Sequence, residues 1–285
     1  MIQKISSLIL ILFVLSQSRA FGETITWIDI NYPSAYFLEG DNKNKGFAQV
    51  SRQHLMNATD EFEHKVQVIG VNRFLAYLKN QKSVHCTIVA VEVDQYDKSL
   101  YSNVAAVTPP TGIVIRAKDK SSFSTGNSVS LQKIIDDSEW IGGLINNGHY
   151  GEFVNYIISN DLDKGKIHRR HLVDPIGLYK MLGLNRVDYI IEHPFSFDIQ
   201  RIRLPASQSN NLVFMPIEEQ TKSTYGRVLC NKTESSSKLI KHINQILKTP
   251  EYKQRVAGSI SGFLPKEIKS QYYKLNIELL GEDLR

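Results

Sequence analysis

Two short segments carry side chains that suit ligand recognition. In "INYPSAYF", Tyr32 and Tyr36 follow the β-rich segment "TITWIDI", and open α/β sheets bind their ligands beyond the carboxyl ends of their strands. In "NNGHYGEF", His149 and Tyr150 lie between a predicted strand and the start of a predicted helix, where free backbone N–H groups can face an anion. Aromatic packing at a domain edge and an ordinary tight turn are the alternative explanations.

A third segment, "MLGLNRVDYIIEHP", joins a predicted helix to a predicted strand. The helix ends at Gly183, Arg186 and Asp188 follow at once, and the strand finishes in Glu192 and His193. A plain helix-to-strand step of an α/β domain and the edge of a binding cleft both fit this pattern. A pair between Arg186 and Asp188 on a solvated loop is the simpler explanation of those two charges.

The sequence lacks the short motifs that identify common enzymes. "GSISG" has Ile260 where a nucleophile elbow has serine, and there is no Walker-type loop, HExxH motif or dinucleotide fingerprint. His168 and His171 have a spacing that a metal could use, but the two arginines between them oppose a cation. We therefore predict a protein that is not an enzyme and that has no cofactor and no metal site.

The first 22 residues have the pattern of a secretory signal peptide. Lys4 precedes the apolar run "ILILFVL", which is too short for a stable membrane anchor, and small residues follow at Ser18 and Ala20. We predict a signal peptide over residues 1–22 and a mature protein in the periplasm. An uncleaved amino-terminal anchor is the alternative.

The remaining residues have the composition of a globular protein with a core. The chain is 42% hydrophobic and 22% charged, which are ordinary values. The formal net charge of +5 is mild, and apart from "HRRH" the basic residues are scattered. We therefore predict no nucleic-acid partner.

The elements that position these segments alternate between strands and helices. Strands in "TITWIDI", "HKVQVIGV" and "HCTIVAVEV" alternate with helices in "GFAQVSRQHLM" and "NRFLAYLKN", which favours a parallel sheet. Pro109 and Pro110 indicate that "SNVAAVTPPTGIVIRAKD" is a crossing to a second α/β unit. After the return strand "YGRVLCNKT", an apolar stripe in "LIKHINQIL" predicts a helix, and the tail is predicted to be helical.

The order of these segments resembles that of bacterial periplasmic solute-binding proteins with the type II fold. The resemblance is to extracellular family three, whose typical members bind polar amino acids, and it is closest to an exported subgroup of unestablished ligand. It rests on "YPSAYFLEG", "GFAQVSRQHL", the crossing segment, "MLGLNRVDYIIEHP" and the return strand with its helix. It implies an α/β, two-lobed fold of mixed sheets with flanking helices. Lobe one would comprise residues 23–106 and 226–285, and lobe two residues 107–225.

The function that this resemblance implies is capture of a small polar ligand between the two lobes, by a hinge motion that contacts with the ligand stabilise. The ligand would be taken up or sensed, so the expected partner is a membrane transporter or a sensor that reads a monomeric protein. An exported enzyme on the same scaffold, or a non-transport sensor or interaction protein, is the alternative.

The ligand-binding residues that the resemblance implies lie at strand ends and helix starts facing the gap between the lobes. They are Tyr32, Tyr36, Asn103, Thr111, His149, Tyr150 and Glu192. Glu192 would favour a cationic or amine-bearing ligand, while Gly183, Arg186 and Asp188 match structural positions.

One segment departs from the family pattern. Amino-acid binders carry a Thr-x-x-Arg step just before the crossing, and its arginine grips the carboxylate of the ligand. Here "VEVDQYDKSLYS" has Asp94, Gln95 and Tyr96 and no arginine. The departure argues against a standard α-amino acid as the ligand.

The chain contains two cysteines, Cys86 and Cys230. In an exported protein they can form one disulfide, and two buried free thiols are the alternative. The implied lobe limits place both cysteines in lobe one, so a bridge between them would close a loop that contains all of lobe two.

Overall fold

Two five-stranded sheets organise the protein. The computed structural model describes residues 23–284 except 31, 33, 80–81, 92–98, 138, 147, 161 and 172–173. The predicted signal peptide and the segment with Asp94, Gln95 and Tyr96 lie outside the described residues. Among the helices that are described, none combines the length and the apolar character needed to cross a membrane.

The first part of the chain alternates between strands and helices, as predicted. In chain order the elements are β1 (Thr24–Asp29), α1 (Phe47–Ala58), β2 (Glu63–Val68), α2 (Val71–Leu78), β3 (Val84–Ala90) and β4 (Ser99–Thr108).

The middle part builds a second α/β unit. Its elements are β5 (Gly112–Arg116), α3 (Lys120–Phe123) after one 3₁₀ turn, α4 (Leu131–Asp137), β6 (Gly142–Ile145), α5 (Glu152–Ser159), β7 (Ile167–Arg170), α6 (Ile176–Gly183), β8 (Tyr189–Glu192), α7 (Pro194–Arg201), α8 (Ala206–Ser209) and β9 (Leu212–Pro216). The chain then continues through β10 (Thr224–Asn231), α9 (Glu234–Ile246), α10 (Pro250–Gly262) and α11 (Lys266–Leu279).

The strands form two mixed sheets. The first has the order β2-β1-β3-β10-β4 and the second the order β7-β6-β8-β5-β9. Strands β1, β2 and β3 run parallel, whereas β10 runs antiparallel to both β3 and β4. We call the part with the first sheet lobe one and the part with the second sheet lobe two. The α/β class with two mixed sheets and flanking helices is confirmed, while the residue limits 23–106, 107–225 and 226–285 stay a prediction.

The segment before the two prolines differs from the prediction. "SLYSNVAAVT" is strand β4 and not part of a crossing, and Pro109 and Pro110 come directly after its last residue. The prolines end the strand because they cannot donate a backbone hydrogen bond. Only residues 109–111 separate β4 from β5, so the crossing is short.

Arg116 explains the helix-to-strand step at "LGLNRVD". Its guanidinium donates to the carbonyl oxygens of Leu182 at 3.1 Å and Val187 at 2.9 Å, and it pairs with Asp188 at 2.9 Å. Asp188 also accepts from the backbone N–H of Ile141 at 3.0 Å. The carboxylate of Asp188 therefore pairs with Arg116 on β5, and not with the neighbouring Arg186.

The two cysteines are joined by a disulfide in lobe one. Cys86 on β3 and Cys230 on β10 face each other in register, and both are fully buried. Strand β10 is the first element after the chain has returned from lobe two. The bridge therefore fastens the returning strand β10 to β3, which the chain forms before it leaves lobe one.

We expect removal of the bridge by the double substitution Cys86→Ala/Cys230→Ala to lower the free energy of unfolding by about 2 to 5 kcal/mol. The reason is that the bridge, with a sequence separation of 144, restricts a long loop in the unfolded chain. Urea unfolding of the variant against the oxidised wild type measures the difference. A wild type whose two thiols are alkylated after denaturation without reductant would contradict the pairing.

Candidate functional site

The site lies where a loop of lobe one meets the end of a strand of lobe two. The Tyr32 hydroxyl, after β1, donates to Oε1 of Glu192 at 3.2 Å, and Glu192 is the last residue of β8. The backbone N–H of His193 donates to the same oxygen at 2.8 Å. Glu192 is only 3% exposed, so a carboxyl group is buried at the boundary between the lobes.

A buried polar network fixes the loop that carries Tyr32. Asp29, at the end of β1, accepts two hydrogen bonds from Arg52 at 3.0 and 3.1 Å and one from Nε2 of Gln49 at 3.1 Å. Oε1 of Gln49 in turn accepts from the backbone N–H of Phe37 at 2.9 Å. Because both α1 side chains bind the end of β1, the loop between them has a defined path.

The lobe-two side is held by the loop between β6 and α5. The Tyr150 hydroxyl accepts from the backbone N–H of Ile145 at 2.9 Å and donates to its carbonyl at 3.0 Å. Thr111 donates from Oγ1 to the Tyr150 carbonyl at 2.5 Å. Gly148 is required by close packing, because a Cβ atom there would lie 2.7 Å from the Tyr150 ring. Gly151 has φ +94°, where glycine is favoured.

A row of rings runs through the boundary. The Tyr150 ring stacks on His193 with centroids 5.6 Å apart, and His193 stacks on Phe195 at 4.9 Å. Phe195 then meets Phe47 of lobe one edge to face at 5.3 Å. The ring of Tyr32 contacts His193 and Phe195 by its edge, at 6.3 and 6.2 Å.

Burial sets the protonation of the site. It raises the pKa of the Glu192 carboxyl to about 7, although hydrogen bonds from His193 and Tyr32 favour the ionised form. Burial lowers the pKa of His193 to about 3, and the charge of His149 acts in the same direction. The pKa of His149 is also lowered by burial. At neutral pH the site thus holds a neutral His193 beside a carboxyl that is ready to gain or lose a proton.

Five of the seven residues predicted for the site lie at or directly behind the boundary. Tyr32, Glu192 and Tyr150 take part in the contacts above, His149 is close enough to shift the pKa of His193, and Thr111 supports Tyr150 from behind.

Tyr36 and Asn103 do not join them. Tyr36 is buried in the core of lobe one, where its hydroxyl donates to the Ile88 carbonyl at 2.7 Å. The Asn103 amide donates to the Gly281 carbonyl at 2.8 Å, and its backbone N–H donates to Oδ1 of Asn244 at 2.8 Å. Both side chains bind within lobe one, because loop and strand backbone groups there need buried partners.

Two residues of the boundary were absent from the sequence-based set. His193 is the residue directly before helix α7, which begins at Pro194, and Phe195 lies in the first turn of that helix. Proline at the first helical position is a known start signal. It would have placed a helix directly after the strand that ends in Glu192.

The arrangement of the two sheets identifies the fold of the protein. Two mixed sheets with flanking helices, linked by two crossings, have the type II fold of periplasmic binding proteins. The resemblance inferred from the sequence is therefore confirmed at the level of the fold.

Solved structures support this classification. A histidine kinase sensor domain with similarity to periplasmic binding proteins has a TM-score of 0.63 and 10% identity, with 84% of this chain and 96% of that one covered. A putative L-cystine ABC transporter protein from Listeria monocytogenes has a TM-score of 0.63 and 15% identity, with 86% and 97% covered. ArtJ from Geobacillus stearothermophilus, which binds arginine, lysine and histidine, has a TM-score of 0.61 and 12% identity, with 87% and 99% covered. No protein-family model and no curated protein matches the sequence.

We expect the wild type to lose stability relative to Glu192→Gln as the pH rises from about 4.5 to about 7. Because burial raises the Glu192 pKa from 4.5 to about 7, the folded protein holds this proton more tightly than the unfolded chain does. The stabilisation is complete below the unfolded pKa and disappears as the pH passes the folded pKa, a change of roughly 3 kcal/mol. Urea unfolding of both proteins across this range measures it, and parallel profiles would contradict the raised pKa.

Proposed function

We propose that this protein is an exported solute-binding protein that holds a small, amine-bearing polar ligand between its two lobes. The observation that carries the proposal is the carboxyl of Glu192, buried at the boundary and facing Tyr32 of the other lobe at 3.2 Å. A buried carboxylate needs a positive partner or a proton. A ligand amine would supply the partner in place of the proton.

The surrounding side chains suit such a ligand. The rings of Tyr32 and Tyr150 both lie next to His193, with centroids 6.3 and 5.6 Å from its own, and aromatic rings attract cations. His193 is neutral because burial lowers its pKa to about 3, so it does not repel a positive charge. In our proposal Tyr32, His149, Tyr150 and Glu192 contact the ligand, while Thr111 positions Tyr150.

The sequence also limits the ligand class. The segment before the crossing, residues 92–98, contains no arginine, so the group that grips an α-carboxylate in amino-acid binders is missing from that position. The proposed ligand is therefore recognised through its amine and does not need an α-carboxylate.

The proposed location is the periplasm, which the predicted signal peptide over residues 1–22 would direct. A disulfide between Cys86 and Cys230 suits an oxidising compartment. We propose that the protein is a monomer. Its proposed partner is a membrane transporter or a sensor that recognises the ligand-bound form. The solved structures with the same fold include one linked to ABC transport and one sensor domain.

We expect primary amines, including diamines and amino alcohols, to raise the melting temperature of the wild type in a saturable way. Glu192→Gln should abolish the effect because it removes the negative partner. Glu234→Gln is the matched control, since Glu234 is exposed and pairs with Lys238 on α9 of lobe one. If amines stabilise Glu192→Gln as strongly as the wild type, Glu192 is not their partner.

The affinity for the amine that stabilises most should fall about tenfold for each pH unit below about 7, because the proton on Glu192 competes with the ligand. Calorimetric titration at several pH values measures this slope. An affinity that does not change with pH would contradict competition at Glu192. Turnover of compounds in a hydrolase substrate panel, in place of saturable binding, would favour the exported enzyme.

A further inference from the structure

Phe195 connects the two lobes in a way that ligand binding does not require. It lies in the first turn of α7 in lobe two, yet its ring belongs to the hydrophobic core of lobe one and is only 6% exposed. There it meets Phe47 edge to face with the ring centroids 5.3 Å apart. Separation of the lobes would expose both rings to water, which opposes opening.

The backbone at the same point is also shared between the lobes. Ser34 of lobe one donates from Oγ to the Phe195 carbonyl at 2.7 Å, and its own carbonyl accepts from the N–H of Phe47 at 2.9 Å. Ser34 is fully buried and has φ +80°. That backbone conformation favours glycine, but glycine has no hydroxyl to offer to Phe195.

A third contact lies beside these two. The hydrogen bond from Tyr32 to Glu192 joins the same loop of lobe one to the residues directly before Phe195. All three contacts therefore link residues 192–195 to the loop between β1 and α1 or to Phe47, the first residue of α1. Each is made by the protein's own groups.

We propose that Phe195 is a latch that holds the two lobes together before any ligand arrives. The resting protein is then closed, and the lobes must release Phe195 from the core of lobe one before a ligand reaches Glu192. The ligand binds only to the small fraction of molecules that are open. A stronger latch makes this fraction smaller and therefore weakens the apparent affinity for the ligand. This conformational device goes beyond the proposed function, because it depends on no particular ligand.

Small-angle X-ray scattering of the mature protein tests the latch. The wild type is unfolded in urea with its disulfide intact and then refolded. This step removes any ligand that has co-purified with the protein and that could itself hold the lobes closed. We expect its scattering profile to match the one calculated from the closed structure. Phe195→Ala should give a larger radius of gyration, because the lobes are released.

Phe197→Ala is the matched control. Phe197 is also a buried phenylalanine of α7, but it packs within lobe two, with its ring 6.1 Å from that of Phe214. This variant should keep the closed profile. Circular dichroism checks that each variant has folded.

Ser34→Gly replaces Phe195→Ala if the latter does not fold. Glycine accepts φ +80° without strain, so this variant loses the hydroxyl that binds the Phe195 carbonyl and retains the loop. An enlarged profile supports the latch. The proposal is overturned if the refolded wild type scatters as an open protein. It is also overturned if Phe195→Ala, or Ser34→Gly where it is used instead, folds and still scatters as the closed protein. Because no ligand is added, failure of the amine screen leaves this result unaffected.

Discussion

The organisation of this protein depends on one constraint, the burial of the Glu192 carboxyl at the boundary between two lobes. A charge in such a place is costly unless it is neutralised or paired. The protein meets this constraint with a raised pKa and with hydrogen bonds from Tyr32 and from the backbone of His193. Because one of these donors belongs to the opposite lobe, the protonation of Glu192 and the positions of the lobes are coupled.

That coupling requires each lobe to present its half of the site rigidly. In lobe one, the buried pair between Asp29 and Arg52 fixes the start of the loop that carries Tyr32. In lobe two, Arg116 holds the chain just before β8, so that Glu192 emerges at a defined point. The disulfide between Cys86 and Cys230 joins β3 to β10 within the sheet of lobe one. The two halves of the site are therefore each fixed within their own lobe, and they meet only at the boundary.

Local pattern was enough to predict most of the fold but only part of the site. Alternating strands and helices, with the prolines after β4, predicted two α/β units, and Glu192 became a candidate because it ends a strand that borders the cleft in the family that the sequence resembles. The same reasoning did not separate Tyr32 from Tyr36, because a position after a strand does not say which way a loop side chain points. Tyr36 turns into the core, where Ile88 binds its hydroxyl. The bond between Ser34 and Phe195 joins residues 161 positions apart, and the register of Cys86 with Cys230 is equally non-local. No local pattern contains these contacts.

In the proposed function, Glu192 is the partner of the ligand. A crystal structure of the protein with the amine that stabilises it most would test this claim directly. We expect the amine nitrogen to lie between the lobes, at about 2.7 to 2.9 Å from a Glu192 carboxylate oxygen, with the Tyr32 hydroxyl displaced from that oxygen. An amine bound elsewhere, for instance in the surface depression lined by Phe153, Tyr156 and Lys222, with Tyr32 still bonded to Glu192, would contradict it.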